Sequence, residues 1–256
     1  GRSNCEIATL PVGDFPEMAN SEYDTEFTLQ TAALLRIFEK VGFAQSTEET
    51  RYYLNGVYLH HHDGRMRGVA TDGHKLALAD GAASPEFEGV IVPSKTISSL
   101  ALDGDETTVK VSTGKIRFES GDSVIVSKVV DGSFPDYTRI IPQGNDKVVD
   151  VDGVALKQAV DRVAAVMERA GAVKFTFDGE GLTVQGRGGQ NEADDYVDAR
   201  YDFDTLDTAF NPKYMNETIQ RVEGDVVLKL KGTMEPALIN DTSDPDFLAV
   251  VMPMRG

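Results

Sequence analysis

One pattern occurs four times along the sequence, and this internal repeat limits the folds that the chain can adopt. Stretches with the apolar spacing of helices begin at intervals of roughly 60 residues. These stretches are 30–40, 94–102, 154–167 and 212–222, and they follow short apolar strands at 27–29, 90–92, 148–151 and 208–210. Alternating polar and apolar residues, typical of strands with one buried face, come after each helix. The repeat predicts an α+β fold of two tandem domains, each with antiparallel sheets on one side and two helices on the other.

A polar, turn-rich stretch divides the four repeats into two pairs. It runs from 142 to 150 and contains Pro142, Gly144 and Asn145, which favour turns. We therefore predict one domain over residues 21–142 and a second over residues 143–256. The sequence begins with Gly1 rather than methionine, from which we expect a fragment or a processed product.

The stretch from 51 to 80 carries the most local information. Alternation over 53–60 predicts a strand, and Asp63-Gly64 predicts a type I′ turn, because both central residues of that turn need positive φ. Strands over 65–71 and 76–79 are expected next, joined by a tight turn that we call the 71–75 turn. Leu54 and Leu76 flank it in the sequence. An apolar hollow beside a polar turn can dock a partner, but the same pattern fits an ordinary β-meander.

Composition narrows the class of protein. The single cysteine, Cys5, excludes an internal disulfide and fits a reducing cytoplasm. No apolar run has the length of a membrane span, and no signal peptide opens the chain. The net charge of −17 argues against a protein that holds nucleic acid mainly by neutralising phosphates. An acidic protein can still collect basic residues on one face.

Few residues fit a catalytic centre. No serine lies in a Gly-x-Ser-x-Gly turn, and Cys5 has no histidine neighbour in the sequence. His60 and His62 lie on the same side of the predicted strand and could share a metal ion, although solvated polar residues are common at a hairpin tip. An enzyme is therefore the weaker hypothesis, and we expect no cofactor.

Basic residues recur on the predicted helices. They are Arg36, Lys40, Lys95, Lys157, Arg162, Lys213 and Arg221. Any amphipathic helix exposes such side chains to water, so the pattern need not have a function. Alternatively, the four helices line one concave surface whose positive potential lets a polyanion pass without contacts to its bases.

The C-terminal residues are the last informative segment. The apolar run that begins at Phe247 predicts a strand, and two methionines flank Pro253 at its end. Methionine side chains are flexible and polarizable, so they suit a surface that contacts varied partners.

Four motifs, in this order, resemble those of the bacterial sliding clamps, the beta subunits of DNA polymerase III. They are RYYLNG at 51–56, ATDGHKLA at 70–77, DGSFPDY at 131–137 and VMPMR at 251–255. The resemblance covers almost the whole chain. It implies the middle and last of three clamp domains, with residues 1–20 matching the final strand of the first domain and the linker after it. It also implies a non-catalytic processivity factor that encircles duplex DNA in a head-to-tail ring of clamp subunits.

The resemblance further implies site residues. A pocket between the domains would bind short linear motifs of the DNA polymerase III alpha subunit, the clamp loader, other polymerases and repair proteins. Its residues would be Leu54, Thr71, Gly73, His74, Lys75, Leu76, Pro135, Arg139, Ile140, Pro236, Val250, Val251, Met252, Pro253, Met254 and Arg255. Duplex DNA would contact Arg51, Tyr52, Tyr53 and the basic helix residues. Subunit contacts would involve Cys5 and Ile7 on one side, and Val166 and Met167 on the other.

The sequence departs from the family pattern at three places. Cys5 stands where a large apolar residue is frequent, Lys75 stands where arginine is frequent, and the stretch 166–173 is short and lacks an aromatic residue. Two rival hypotheses remain. One is a naturally short clamp that closes as a ring of three chains, and the other is an enzyme that acts on nucleotides.

Overall fold

A computed structural model describes residues 4–11, 22–167 and 171–255 of the chain. The first half contains β1 (Thr25–Gln30), α1 (Thr31–Val41), β2 (Gly56–His62), β3 (Arg65–Thr71), β4 (Lys75–Ala83), β5 (Val90–Pro93), α2 (Ser94–Ser98), β6 (Glu106–Val111), β7 (Lys115–Ser120) and β8 (Ser123–Lys128). The second half contains β9 (Lys147–Val151), α3 (Gly153–Ala164), β10 (Val173–Asp178), β11 (Gly181–Gly188), β12 (Asn191–Val197), β13 (Ala199–Arg200), β14 (Leu206–Phe210), α4 (Pro212–Ile219), β15 (Val226–Leu230), β16 (Ala237–Asp241) and β17 (Phe247–Val251). Short 3-10 helices lie at Gly42–Ala44, Glu49–Leu54 and Tyr137–Arg139.

The predicted fourfold repeat is confirmed. A strand leads directly into each of the four α-helices, and a meander of antiparallel strands follows each helix. The helix starts agree with the predicted ones to within one residue. The helices α2, α3 and α4 end earlier than predicted, whereas α1 ends one residue later. In α2 the hydroxyls of Ser98 and Ser99 donate to the Lys95 carbonyl and compete with the next helical hydrogen bond. After α3 and α4, tighter i to i−3 backbone bonds close the final turn.

The prediction of a strand over 53–60 is wrong in its first part. Residues Glu49–Leu54 form 3-10 helical turns with a kink at Arg51, and β2 begins only at Gly56. The Asn55 N–H donates to the Tyr52 carbonyl, a local bond that extended chain cannot make. Consecutive tyrosines have high strand propensity, so the sequence pattern alone favours a strand. The expected turn at Asp63-Gly64 is present, with φ of 48° and 80°.

The strands form three antiparallel sheets. Two are four-stranded, with the orders β1-β6-β7-β8 and β12-β11-β10-β14. The third has nine strands in the order β13-β9-β15-β16-β17-β4-β3-β2-β5, and it runs through both halves of the chain. Within each half, the strands after one helix pair with the strand that precedes the other helix. This exchange ties the two repeats of a half into one unit.

The two halves join where β4 pairs with β17. Leu76 lies opposite Val250, and the backbone groups that each half would otherwise leave at an open sheet edge are paired. An ion pair between Arg65 and Asp246, at 2.6 Å, also crosses from one half to the other.

The helices pack against the sheets through a shared apolar core. Leu34, Ile37 and Phe38 of α1 are buried there. Ile37 approaches the sheet closely because Gly68 on β3 and Gly81 on β4 have no side chains; a Cβ at these positions would lie 2.2 Å and 2.4 Å from Ile37. Among the residues that the structure describes, no helix combines the length and the apolar character needed to cross a membrane.

Candidate functional site

A small apolar cavity opens where the two halves meet. It is lined by Thr71, Gly73, His74, Lys75, Leu76, Ile140, Val250 and Met252. Side chains alternate between the faces of a strand, so Leu76 and Val250 point to the cavity side of the β4–β17 joint. Both residues belong to a second buried apolar cluster, which also includes Val69, Leu78 and Tyr137. The cavity is thus the open end of an apolar layer contributed by both halves.

The 71–75 turn is held rigidly by its own polar groups. The Thr71 hydroxyl donates to the Lys75 carbonyl at 2.7 Å and accepts from the Gly73 N–H at 3.1 Å. The Asp72 carboxylate accepts from the backbone N–H groups of His74 and Lys75, at 2.8 and 2.9 Å. Gly73 has φ of +88°, a conformation that a residue with a Cβ rarely adopts. The turn is therefore a fixed wall of the cavity.

The C-terminal tail, residues 252–255, runs past this turn. The Met252 N–H donates to the His74 carbonyl at 2.9 Å, and the Met254 N–H donates to the Ala209 carbonyl at 2.7 Å. Pro253 forms an isolated bridge with Phe210 at the end of β14. Met252 is 38% exposed, so its side chain covers the cavity without being buried itself. The structure thus brings together two segments that lie far apart in the sequence.

A third wall comes from the loop 134–141, which is packed by aromatic rings. Phe134 stacks on Tyr58 with ring centroids 5.0 Å apart. The His60 Nε2 and the Tyr137 hydroxyl are 3.1 Å apart, and the His60 Nδ1 lies 2.8 Å from the His61 carbonyl. Burial lowers the pKa of His60 below its ordinary value of 6.5. These contacts hold the loop so that Ile140 reaches the cavity.

Sequence reasoning missed Tyr58, Phe134 and Tyr137 as supports of the site. Their signal was present, because Phe134 and Tyr137 lie within the third family motif. Their partner Tyr58, however, is distant in the sequence. Aromatic side chains that stack across such a distance are visible only after the strands have been paired.

Eight of the predicted pocket residues line the cavity, and the other eight are not part of its lining. The residues outside the lining are Leu54, Pro135, Arg139, Pro236, Val251, Pro253, Met254 and Arg255. Val251 is fully buried in the main core, because it points to the opposite face of β17 from Val250. Arg139 is largely exposed and pairs with Asp136 at 2.8 Å. The Pro236 carbonyl accepts a hydrogen bond from Asn145.

Lys75 differs from the other lining residues because its ammonium group is already paired with carboxylates of the protein. Its side chain is 5% exposed, and its Nζ lies 2.7 Å from Asp72 and 3.3 Å from Glu217. The same Nζ lies 4.4 Å from the centroid of the Tyr214 ring. Lys75 therefore offers little free charge to a ligand.

The basic helix residues have unequal surroundings. Lys40 was expected to face DNA, but its side chain is 6% exposed and its Nζ lies 3.0, 3.6 and 3.5 Å from Glu223, Asp241 and Asp244. We correct that expectation, because a buried and neutralised ammonium group cannot reach a phosphate. Arg36 also pairs with Asp244.

The remaining basic helix residues lie nearer the surface. Lys157 pairs with Asp161 and Arg162 with Asp195, whereas Lys213 lies 3.8 Å from Glu217. The guanidinium of Arg221 lies 5.8 Å from the centroid of the Phe43 ring. Lys95 is exposed and, in the described part of the chain, has no carboxylate partner. It is the helix residue best placed to offer a free charge.

The loop before β2 contains the other residues expected to contact DNA. Arg51 makes two hydrogen bonds to the Glu48 carboxylate, at 2.9 and 2.6 Å. Tyr52 is 53% exposed, and its ring meets that of Tyr53 edge to face. Both tyrosines lie close to Gly132.

The rings of the two histidines, His60 and His62, make contacts within the protein. Both ring nitrogens of His60 lie within hydrogen-bonding distance of protein groups, the His61 carbonyl and the Tyr137 hydroxyl. His62 lies 3.5 Å from Asp63. Across the described ranges, no group of three or more histidine, cysteine or acidic residues could hold a metal ion.

The residues expected at subunit contacts lie far apart in the sequence. Cys5 and Ile7 are exposed in a segment without regular structure. Val166 and Met167 follow α3, which packs on β11 and β12. Part of the stretch 166–173, namely residues 168–170, lies outside the described residues.

Comparison with known proteins gives a consistent result. The family model of the DNA polymerase III beta subunit central domain matches residues 28–136, and that of the C-terminal domain matches residues 138–255. The beta sliding clamp of Caulobacter vibrioides is 38% identical over 270 aligned positions, which cover 100% of this chain and 72% of the relative. That of Escherichia coli is 34% identical over 265 positions, with the same coverage.

Solved structures agree with the sequence relatives. A sliding clamp from Pseudomonas aeruginosa superposes with a TM-score of 0.93 at 33% identity and covers 100% of this chain and 73% of its own. A clamp from Bartonella birtlesii bound to griselimycin has a TM-score of 0.88 at 38% identity, and the match covers 96% of this chain and 70% of the other.

Proposed function

This chain belongs to the family of DNA polymerase III beta subunits, the beta sliding clamps, and from that premise we propose that its cavity binds short peptide motifs. Its function is that of a DNA sliding clamp, a non-catalytic processivity factor of DNA replication. We propose the polymerase alpha subunit, the clamp loader, other polymerases and repair proteins as the carriers of those motifs. We also propose the bacterial cytoplasm as the place where it acts.

One observation carries the proposal: the 71–75 turn and the C-terminal tail meet at an apolar cavity. Leu76, Val250, Ile140 and Met252 offer apolar surface to a leucine or phenylalanine side chain. An aromatic side chain buries about 150–250 Å², and burial contributes about 25 cal/mol per Å². One or two anchors therefore supply several kcal/mol, on the order of the 8 kcal/mol that micromolar binding needs.

A peptide-binding measurement tests this site. A fluorescent peptide with two adjacent apolar anchors, leucine and phenylalanine, is titrated with the chain and followed by anisotropy. We expect Ile140→Ser and Met252→Ala each to weaken binding at least fivefold, because each removes apolar lining. Met234→Ala is the matched control, since Met234 is also exposed but lies outside the cavity. Equal binding by all three variants would contradict the proposal.

The sheet edges support a role within a ring. The strands that join the halves, β4 and β17, are each the last strand of a helix-led repeat. The corresponding strands of the other two repeats, β8 and β12, are the edges of the four-stranded sheets. By this equivalence we propose that β8 and β12 pair with other clamp units. Those units are either further domains of a three-domain subunit or, in the alternative, other copies of a short clamp.

The mass in solution separates the two arrangements. Light scattering at high micromolar concentration should give a single chain if β8 and β12 need domains that this chain does not supply. A mass of three chains would favour the short clamp that closes as a homotrimer. Val124→Lys, on the edge strand β8, should abolish that trimer, because a charge on an edge strand opposes pairing.

Contact with duplex DNA is proposed for the free charge on α2 and for the loop that carries Arg51, Tyr52 and Tyr53. Because most helix cations are paired with carboxylates, we expect weak binding that depends on salt. Lys95→Glu should reduce binding of a labelled duplex at low salt by threefold or more. Lys231→Glu, a similar charge change on a loop away from the helices, should have no such effect.

A further inference from the structure

The α4 helix, which does not line the cavity, is connected to it through one charged residue. Glu217 on α4 belongs to the second half, and its Oε2 lies 3.3 Å from the Nζ of Lys75 in the first half. The Lys75 ammonium group is also held by Asp72, at 2.7 Å, and lies over the Tyr214 ring. Tyr214 is on the same helix as Glu217, so two α4 side chains contact the same lysine.

The same helix also supports the histidine of the cavity wall. The His74 ring stacks on Tyr214 with centroids 5.9 Å apart and an interplanar angle of 17°. The His74 carbonyl accepts the N–H of Met252. A shift of α4 relative to the 71–75 turn would therefore displace His74 and, through that backbone bond, the first residue of the tail.

We propose that Glu217 is a positioning residue for the cavity: its pairing with Lys75 fixes the 71–75 turn against α4 and so sets the places of His74 and Met252. This inference rests on the proposed peptide-binding function. Glu217 needs no contact with the peptide to act. Its charge matters because Lys75 is 5% exposed, and an ammonium group with so little water depends on its carboxylate partners.

A double-mutant cycle measures the coupling. Peptide affinity is determined for the wild type, Glu217→Gln, Lys75→Met and the double variant. Glu217→Gln keeps the shape and removes the charge, and we expect about fivefold weaker binding with an unchanged peptide preference. We expect the double variant to bind no more weakly than Lys75→Met alone, because the two residues act through one contact. Lys75→Arg, which keeps the charge, should bind the peptide more tightly than Lys75→Met does.

Two controls separate positioning from general stability. Lys213→Met removes a basic side chain that also faces Glu217, but from the exposed side of α4, and should leave affinity within twofold. Glu39→Gln removes an exposed carboxylate from α1 and should do the same. Thermal unfolding of each variant shows whether the fold is intact.

A second readout does not depend on peptide binding. The Met252 methyl resonance, assigned by its loss in Met252→Leu, reports the position of the tail in the free chain. We expect Glu217→Gln to move this resonance and Lys213→Met to leave it in place. If the wild type bound no peptide, the proposed function would fail while the resonance still decided the positioning role. An unmoved Met252 resonance in Glu217→Gln, or additive effects in the cycle, would overturn the inference.

Discussion

At the scale of single residues, small changes in side-chain size decide how closely α1 approaches the nine-stranded sheet. Ile37 fits between Gly68 and Gly81, where no Cβ is present. Core packing is as dense as an organic crystal, so an added methyl group has no space to occupy.

Gly68→Ala should therefore lower the free energy of unfolding by about 1–3 kcal/mol, the usual cost of overpacking a core. Its Cβ would lie 2.2 Å from Ile37 Cγ2, so the helix or the strand must shift. Gly114→Ala is the control, because a Cβ there meets nothing within 4 Å. Urea unfolding measures both variants. If Gly68→Ala were as stable as Gly114→Ala, the result would contradict the close packing of Ile37 against Gly68.

His60 gives a prediction about pH. Burial lowers the pKa of His60 below 6.5, so the unfolded chain takes up a proton at a higher pH than the folded one. The resulting stability is present above pH 6.5 and is lost as the pH falls below it. Histidine resonances should show His60 titrating below pH 6.5, and the unfolding free energy of His60→Gln should fall less between pH 7.5 and 5.5 than that of the wild type. An equal loss in both proteins would count against this assignment.

At the scale of elements, local signals predicted more than long-range ones did. The Asp63-Gly64 turn, the bounds of β3 and the helix starts could be read from the sequence, because each depends on neighbouring residues. The joining of β4 to β17 could not, because it depends on the folding of both halves. The burial of Lys40 was missed for the same reason, since its partners Asp241 and Asp244 belong to the other half.

The C-terminal tail is an element that can be removed without removing a strand. A chain that ends at Val251 keeps all of β17 and should unfold within a few degrees of the full chain. Its peptide binding should fall more than tenfold, because Met252 no longer covers the cavity. A chain that ends at Met254 serves as the control and should bind within threefold of wild type. Peptide binding that survived removal of the whole tail would exclude the tail from the site.

At the scale of the whole molecule, the junction between the halves combines a sheet with a buried charge cluster. The Lys40 ammonium donates to the Arg221 carbonyl at 2.6 Å and lies among three carboxylates. Although burial alone would raise it, the pKa of Asp241 falls to about 2, because the carboxylate accepts hydrogen bonds from the Glu223 and Ser243 backbone and from the Ser243 hydroxyl. This carboxylate therefore contributes stability above its ordinary pKa of 3.8, and the contribution is lost as the pH falls toward 2.

Lys40→Met should be the most damaging change at this junction. It leaves buried carboxylates without their cation, and breaking a buried ion pair typically costs about 3–5 kcal/mol. Lys95→Met, on an exposed helix position, should cost less than about 0.5 kcal/mol. Urea unfolding of both variants provides the comparison. Equal stability would show that the Lys40 cluster does not hold the halves together.

Backbone hydrogen bonds between β4 and β17 lie under the cavity. A hinge motion that separated the two sides of the cavity would therefore have to break these hydrogen bonds. Opening must instead come from individual side chains, Met252 above all. If partner proteins bind there as proposed, they would contact a site of constant shape while a clamp ring opens or closes. Binding of a partner and encirclement of DNA would then be independent events.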